Sequence, residues 1–316
     1  MKTLSLSELQ FNPEVTFTSG QTFRWRKITT QDGIEWLGVV SGHVLLVDNA
    51  QIRCIGRWRS SSSESDQTDF DETFRSYFSF RDNLHKIHSS FPQDQFLSDS
   101  IRTYGGLRIL TQDPWECLVS FVCSINKNIP GISSMIELLS SRFGEKIITL
   151  NGPIFSFPTA SKLQEASKSE LLDCKVGFRW RFIQFISRQV ASGKFDLYSL
   201  RHKKYDELRN DLISELSGNT LGVGHKVADC VSLFAYHRTE AFPIDVWILR
   251  CLKKQYADKF GFGTLLEHRN ALTPKLYESV HERALKYFGP YCGYAQQYLY
   301  MKIRDDDHAI RSKEKA

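Results

Sequence analysis

Two glycines, a lysine and an aspartate stand in register in the second half of the chain. Gly222 and Gly224 precede Lys226, and Asp245 lies nineteen residues beyond the lysine. Glycine admits turns and close approaches that a Cβ forbids, so the pair suits a tight hairpin that opens a helix. Free N–H groups at such a helix start can hold an anionic oxygen without any side chain, and a DNA phosphate fits them. Lys226 then falls in the first helical turn, close to the bound backbone. Asp245 follows Pro243-Ile244 and precedes the apolar run Val246-Trp247-Ile248-Leu249. That is the place of a carboxylate at a helix N-terminus, where the dipole favours its ionised form. A nucleophilic amine and a fixed negative charge would then face one sugar.

Taken singly, each of these residues has a plainer reading. A glycine pair marks an ordinary turn more often than a phosphate site, most lysines are solvated, and an aspartate before an apolar run is usually a plain cap. It is the register of all four that points to chemistry on DNA. A lysine with a reference pKa of about 10.4 must be desolvated to act as a nucleophile, and bringing it near neutrality costs about 4 kcal/mol. A tight ion pair with Asp245 would oppose that shift, so the two groups should face each other without pairing. Cys230, four residues after Lys226, shares its helical face.

The elements that must hold these groups are legible in outline. Segments 22–27, 35–47 and 51–58 are rich in β-branched and aromatic residues, with turns at Gly33, Gly42 and Asp48-Asn49, and predict an antiparallel sheet. Residues 60–69 are Ser-rich and acidic and predict a surface loop. From Phe70 the pattern turns helical. Asp113-Pro114 reads as a cap with proline at the first helical position, and Ile132, Met135, Ile136, Leu139 and Phe143 form a stripe that Gly144 ends. The expected organisation is an α+β chain: a β domain over 1–106, a helical domain over 107–303 and a disordered polar tail over 304–316.

Composition sets looser bounds. The chain has 316 residues, 41% of them hydrophobic, and can bury a full core. A net charge of +5 raises the prior for nucleic-acid binding only modestly. No apolar run reaches a membrane span, and the N-terminus lacks the apolar core of a signal peptide, so a soluble intracellular protein is expected, nuclear in a eukaryote and cytoplasmic in a prokaryote. The seven cysteines show no paired short spacing of a zinc or iron–sulfur site. Reduced thiols and no metal or cofactor are therefore expected.

The Gly222 to Asp245 pattern resembles the helix-hairpin-helix DNA glycosylases. Further segments resemble the 8-oxoguanine DNA glycosylases in particular: Gly20-Gln21-Thr22-Phe23-Arg24-Trp25, Asp113-Pro114-Trp115-Glu116-Cys117, Ser124-Ile125-Asn126-Lys127-Asn128, Gly177-Phe178-Arg179-Trp180-Arg181 and Gly289-Pro290-Tyr291-Cys292-Gly293-Tyr294-Ala295-Gln296. They run in the family's order along nearly the whole chain. The resemblance implies a TATA-binding-protein-like antiparallel sheet beside a helical domain with the hairpin motif. It also implies a monomer acting on damaged duplex DNA, with Lys226 as nucleophile and Asp245 as electrostatic partner. By the same resemblance the Gly20 carbonyl, Gln296, Tyr300 and Cys230 hold the extruded base. Asn126 enters the gap in the duplex, Phe178 wedges beside the orphaned base, Arg179 reads that base, and Trp247 lies near a phosphate.

Five positions depart from the family pattern, Phe178 among them, where the family has tyrosine. Leu221 replaces a proline before the hairpin, Tyr300 replaces phenylalanine, Trp247 replaces histidine, and Gly131 replaces a second arginine that reads the cytosine opposite the lesion. The last predicts relaxed preference for the opposite base, by about 1–3 kcal/mol for one lost arginine contact. Two rivals stand beside this reading. One is a glycosylase of the same fold for alkylpurines or oxidised pyrimidines. The other is a binding module for which Lys226 and Asp245 would both be dispensable.

Overall fold

A computed structural model describes the chain except at residues 1, 31–32, 58–66, 150–151, 218–221, 267–268, 270 and 314–316. Strands β1 (Thr3–Ser5), β2 (Arg26–Thr30), β3 (Gly33–Val40), β4 (His43–Val47) and β5 (Gln51–Arg57) form an antiparallel sheet in the order β1-β5-β4-β3-β2. Successive strand residues point to opposite faces, and here both faces are covered. Trp36, Val40, Leu45, Val47 and Ile52 pack against Phe17, Phe70, Phe74 and Phe78. Leu37, Val44 and Leu46 pack on the other side against Ile147 and Ile154. Those two belong to a hairpin of β6 (Lys146–Thr149) and β7 (Gly152–Phe155) that reaches back from the helical body. Double coverage is why the run Val44-Leu45-Leu46-Val47 is apolar without interruption.

The expected strand over 22–27 begins only at Arg26. The reason lies at Gln21, whose fully buried amide donates to the Arg108 carbonyl at 2.8 Å and accepts from the Leu110 N–H at 2.8 Å. Gln112 returns a bond to the Gln21 carbonyl at 2.8 Å. A side-chain amide that takes backbone partners competes with a ladder. Here it stitches the segment after helix α1 (Pro13–Thr18) to the helical body and fixes Gly20 at the junction.

The remaining helices are α2 (Gln67–Tyr77), α3 (Leu84–Ser89), α4 (Gln95–Thr103), α5 (Pro114–Cys123), α6 (Ile129–Phe143), α7 (Ala160–Glu165), α8 (Lys168–Asp173) and α9 (Trp180–Ala191). After them come α10 (Tyr205–Glu215), α11 (His225–Tyr236), α12 (Val246–Cys251), α13 (Pro274–Phe288) and α14 (Cys292–Lys313). Asp113 caps α5 by accepting from the Glu116 N–H, with Pro114 first in the helix, and Gly144 ends α6 as expected. Among the described residues no helix is long and apolar enough to cross a membrane, and all seven cysteines are free.

Three further expectations differ from the structure. Most of the loop expected over 60–69 lies outside the described residues, and its last three residues already begin α2. The polar tail from Arg304 is not irregular, since α14 continues through Lys313. Its anchors are tertiary: Arg304 donates to the Thr18 carbonyl at 2.9 Å, and Tyr104 donates to Asp305 at 2.8 Å. Finally, Leu84, Ile87, Leu97 and Tyr104 pack in the helical core, whereas Leu110 packs with the sheet. By packing, α3 and α4 go with the helical body, so no single cut at 106 divides the chain.

Candidate active site

The hairpin that opens α11 is built as the glycines suggested, though each glycine serves differently. Ser217 and Gly222 pair as an isolated antiparallel bridge, and Val223 donates to the Leu216 carbonyl at 3.1 Å. A Cβ on Gly222 would sit 2.5 Å from the Ser217 Cα, so only glycine fits there. Gly224 is the N-cap of α11 with no side-chain cap, and nothing lies within 4 Å of the place a Cβ would take. No cap side chain therefore engages the first N–H groups of the helix. Leu221 lies outside the described residues.

Lys226 and Asp245 meet in one cavity of about 900 Å³. The Lys226 Nζ donates to Ser124 Oγ at 3.0 Å and lies 5.0 Å from the Phe121 ring centroid. Ser124 donates its own proton to the Phe121 carbonyl at 2.7 Å, so toward the lysine it can only accept. Asp245 caps α12, its Oδ1 accepting from the Trp247 N–H at 3.0 Å and the Ile248 N–H at 2.8 Å. Burial pushes the Asp245 carboxyl above its ordinary range, against the pull of the Ile248 N–H and the Lys226 charge. No ion pair joins Lys226 to Asp245 among the described contacts, although the lysine charge is felt at the carboxyl. Burial also pushes the Cys230 thiol up to about 12, with Lys226 pulling the other way, so Cys230 is a neutral, apolar wall.

Ten of the twelve residues expected at the site line this cavity: Gly20, Asn126, Gly222, Gly224, Lys226, Cys230, Asp245, Trp247, Gln296 and Tyr300. Gly20 takes φ +75°, a left-handed turn after α1. The Tyr300 ring lies so close that a Cβ on Gly20 would be 2.9 Å from its Oη. The Gln296 amide is engaged, donating to the Pro243 carbonyl at 3.1 Å and accepting from Gln297 at 2.8 Å, which leaves one N–H and one oxygen lone pair for a base. Asn126 is exposed at φ +51°. Trp247 is half-buried, its ring edge-on to His308 and 4.7 Å from the Arg250 guanidinium carbon.

The other two do not line the cavity, although Arg179 packs on the Phe178 ring at 4.6 Å and bonds to the carbonyl of Asn126, which does. Phe178 is 50% exposed, which favours a surface wedge over a core role. Arg179 is buried, and its guanidinium donates to the carbonyls of Ile125, Val176 and Asn126. A planar fork suits several carbonyls at once. In this structure Arg179 braces the loop carrying Asn126. Sequence reasoning also missed residues that touch the site. Ser124 is 102 positions from Lys226, and no local signal could have connected them. The Lys127 stem lies across Gly131, its Cε inside the space that a Cβ there would need.

An amine and a carboxylate on two helix starts, lining one cavity with a helix N-terminus that no cap side chain engages, define a site of the lysine-dependent base-excision kind. Comparison with known proteins narrows this. Residues 3–118 match the family model for the 8-oxoguanine DNA glycosylase N-terminal domain. The chain is 30% identical over 312 residues to the N-glycosylase/DNA lyase OGG1 of Arabidopsis thaliana, covering 94% of this chain and 79% of that one. The solved structure of MBOgg1 in complex with a low affinity DNA ligand superposes with a TM-score of 0.81 at 31% identity, over 97% of each chain. The Clostridium acetobutylicum 8-oxoguanine glycosylase/lyase, solved with duplex DNA containing cytosine opposite 8-oxoG, gives 0.77 at 26% identity, over 95% of this chain and 93% of that one. The chain belongs to the 8-oxoguanine DNA glycosylase family.

Proposed function

We propose that this protein is a bifunctional DNA glycosylase and AP lyase that removes 8-oxoguanine from duplex DNA in base excision repair. The observation that carries the reading is the convergence of Lys226 and Asp245, unpaired, in a cavity large enough for a purine nucleoside. Family membership supports it, as do the DNA complexes of the similar structures.

The chemistry follows from the geometry. The damaged nucleotide is extruded from the duplex and its base enters the cavity between Tyr300 and Cys230. As the glycosidic bond breaks, positive charge grows on the sugar beside Asp245, which stabilises it. The Lys226 amine, held by Ser124, adds to C1′ as the base departs with the bonding electron pair. Ring opening gives a protonated Schiff base, and loss of a C2′ proton then expels the 3′ phosphate by β-elimination. Guanine offers N7 as an acceptor where the 8-oxo base carries N7–H, so a carbonyl at Gly20 attracts the lesion and repels the normal base.

Relaxed preference for the opposite base is part of this proposal. Gly131 supplies no donor, and the cation above it is Lys127, a flexible point charge that cannot read a base bidentately. The cavity is complete within one chain, which supports action as a monomer wherever the genome is housed.

Borohydride trapping on a duplex carrying one 8-oxoguanine tests the core of the reading, comparing the native protein with Lys226→Gln. A covalent complex that needs Lys226 is expected. Base release without trapping would replace the amine with a water nucleophile, and no release would move the protein to another lesion or to binding alone. Four duplexes differing only opposite the lesion test the rest, and a strong cytosine preference would defeat the relaxed reading.

A further inference from the structure

We propose that Tyr277 is a positioning residue for the Lys226–Asp245 pair, its hydroxyl acting as the pin between the two chain segments that carry them. The inference rests on the reading of those two residues as the catalytic pair. Tyr277 is on α13 and its ring lines the cavity, stacked on His225 at 5.4 Å. The hydroxyl donates to Asp229 Oδ2 at 2.6 Å and accepts from the Ile244 N–H at 3.0 Å. Asp229 is fully buried on α11, three residues after Lys226, and Ile244 directly precedes Asp245. A phenol has one proton to give and lone pairs to accept with, so this one group satisfies both segments at once. Burial beside Asp229 holds the phenol far above its ordinary range, which keeps its proton in place.

The pin is itself anchored. Asp229 Oδ1 accepts from Tyr205 Oη at 2.7 Å and from Arg209 Nε at 2.5 Å. Arg209 Nη1 continues to Glu278 at 2.8 Å, the residue after Tyr277. Helix α13 is thus tied to α10 and α11 through one buried carboxylate, and Tyr277 carries that order across to the Asp245 loop. Nothing else among the described hydrogen bonds joins the Ile244 N–H to α11. Addition to a sugar carbon is sensitive to placement, and a misplacement of about 1 Å costs on the order of 10²-fold in rate.

The same network supplies its own control. Tyr205 and Tyr277 are each 5% exposed and each donate to Asp229, but only Tyr277 touches the Asp245 loop. The full-length protein is compared with Tyr277→Phe and Tyr205→Phe on a duplex bearing one 8-oxoguanine. The readings are the saturating single-turnover rate of base release, the apparent Kd and the melting temperature. Rates are taken at a temperature well below the lowest melting point, so that every variant is folded. Tyr277→Phe is expected to lower the saturating rate by about 10²-fold with Kd within about threefold, and Tyr205→Phe to keep its rate within about threefold despite a similar loss of melting temperature. Equal rate losses in the two variants would make the network merely structural and overturn the proposal, as would an unchanged rate in Tyr277→Phe. Failure of the native protein to release the base would instead refute the activity on which the proposal rests.

Discussion

Replacing Gly20 by alanine perturbs the wall of the base cavity in a way the structure makes calculable. The backbone there sits at φ +75°, where an L side chain costs roughly 1–2 kcal/mol. The new methyl would also lie 2.9 Å from Tyr300 Oη, 3.1 Å from Cε1 and 3.2 Å from Cζ. The ring cannot swing freely outward, because it is buried with the Arg304 guanidinium 5.4 Å from its centroid, so it yields into the cavity. Overpacking of this kind adds about 1 kcal/mol or more. Gly20→Ala should therefore lose about 2–3 kcal/mol in denaturant unfolding and weaken single-turnover excision by about tenfold. Tyr300→Phe removes the nearest atom and leaves the two ring carbons. In that background Gly20→Ala should cost the backbone share of about 1–2 kcal/mol and only part of the overpacking, and excision should partly recover. An equal cost in both backgrounds would show that the contact with Tyr300 is not the source of the effect.

Other variants separate function from stability. Asp245→Asn keeps the helix cap and abolishes base release, yet it should stabilise the protein at neutral pH. The Asp245 carboxyl sits above its ordinary range because it is buried, so its contribution to stability is fully present below the unfolded pKa and is lost as pH rises through the folded value. Urea unfolding from pH 7 downward should accordingly show the advantage of the Asp245→Asn variant shrinking with acid; an advantage that grew would refute the sign. Gly131→Arg must displace the Lys127 stem, and should raise discrimination for cytosine by about 1–3 kcal/mol in the four-duplex panel, whereas Gly131→Ala displaces the same stem and should raise it not at all. Burial raises the Asp94 carboxyl, but Lys259, the Leu97 N–H and Tyr287 outweigh it and hold the group below its usual range. Lys259→Met should thus lose stability at pH 7, and the gap from the native protein should close as pH falls below about 4, read by thermal melting across pH.

Local chemistry was enough to read several elements. Asp113-Pro114 and Asp245 announce helix starts because a cap is a contact within three or four residues, and Gly144 ends α6 at the residue expected. The amine, the carboxylate and Cys230 were found for the same reason: a helix start and an i, i+4 face are short-range facts. Gly222 was also legible, although the reason for it, the Cα of Ser217, became visible only in three dimensions.

What the tertiary structure decided concerns partners far apart in the chain. Segment 22–25 has the composition of a strand, yet the buried Gln21 amide takes its bonds from residues 108–112 and holds the segment irregular. The polar residues after Arg304 read as a tail because their anchors, Thr18 and Tyr104, lie some 200 or more positions away. Arg179 was legible as an arginine beside an exposed aromatic, but its direction was not, since the carbonyls of Ile125 and Asn126, 54 and 53 positions away, claim its donors. The sequence by itself thus determined which groups can do the chemistry, because their identity and helical setting are local. Their aim, through Ser124, Arg179 and Tyr277, was decided by packing, because a hydrogen bond depends on distance in space and carries no mark in the separation along the chain.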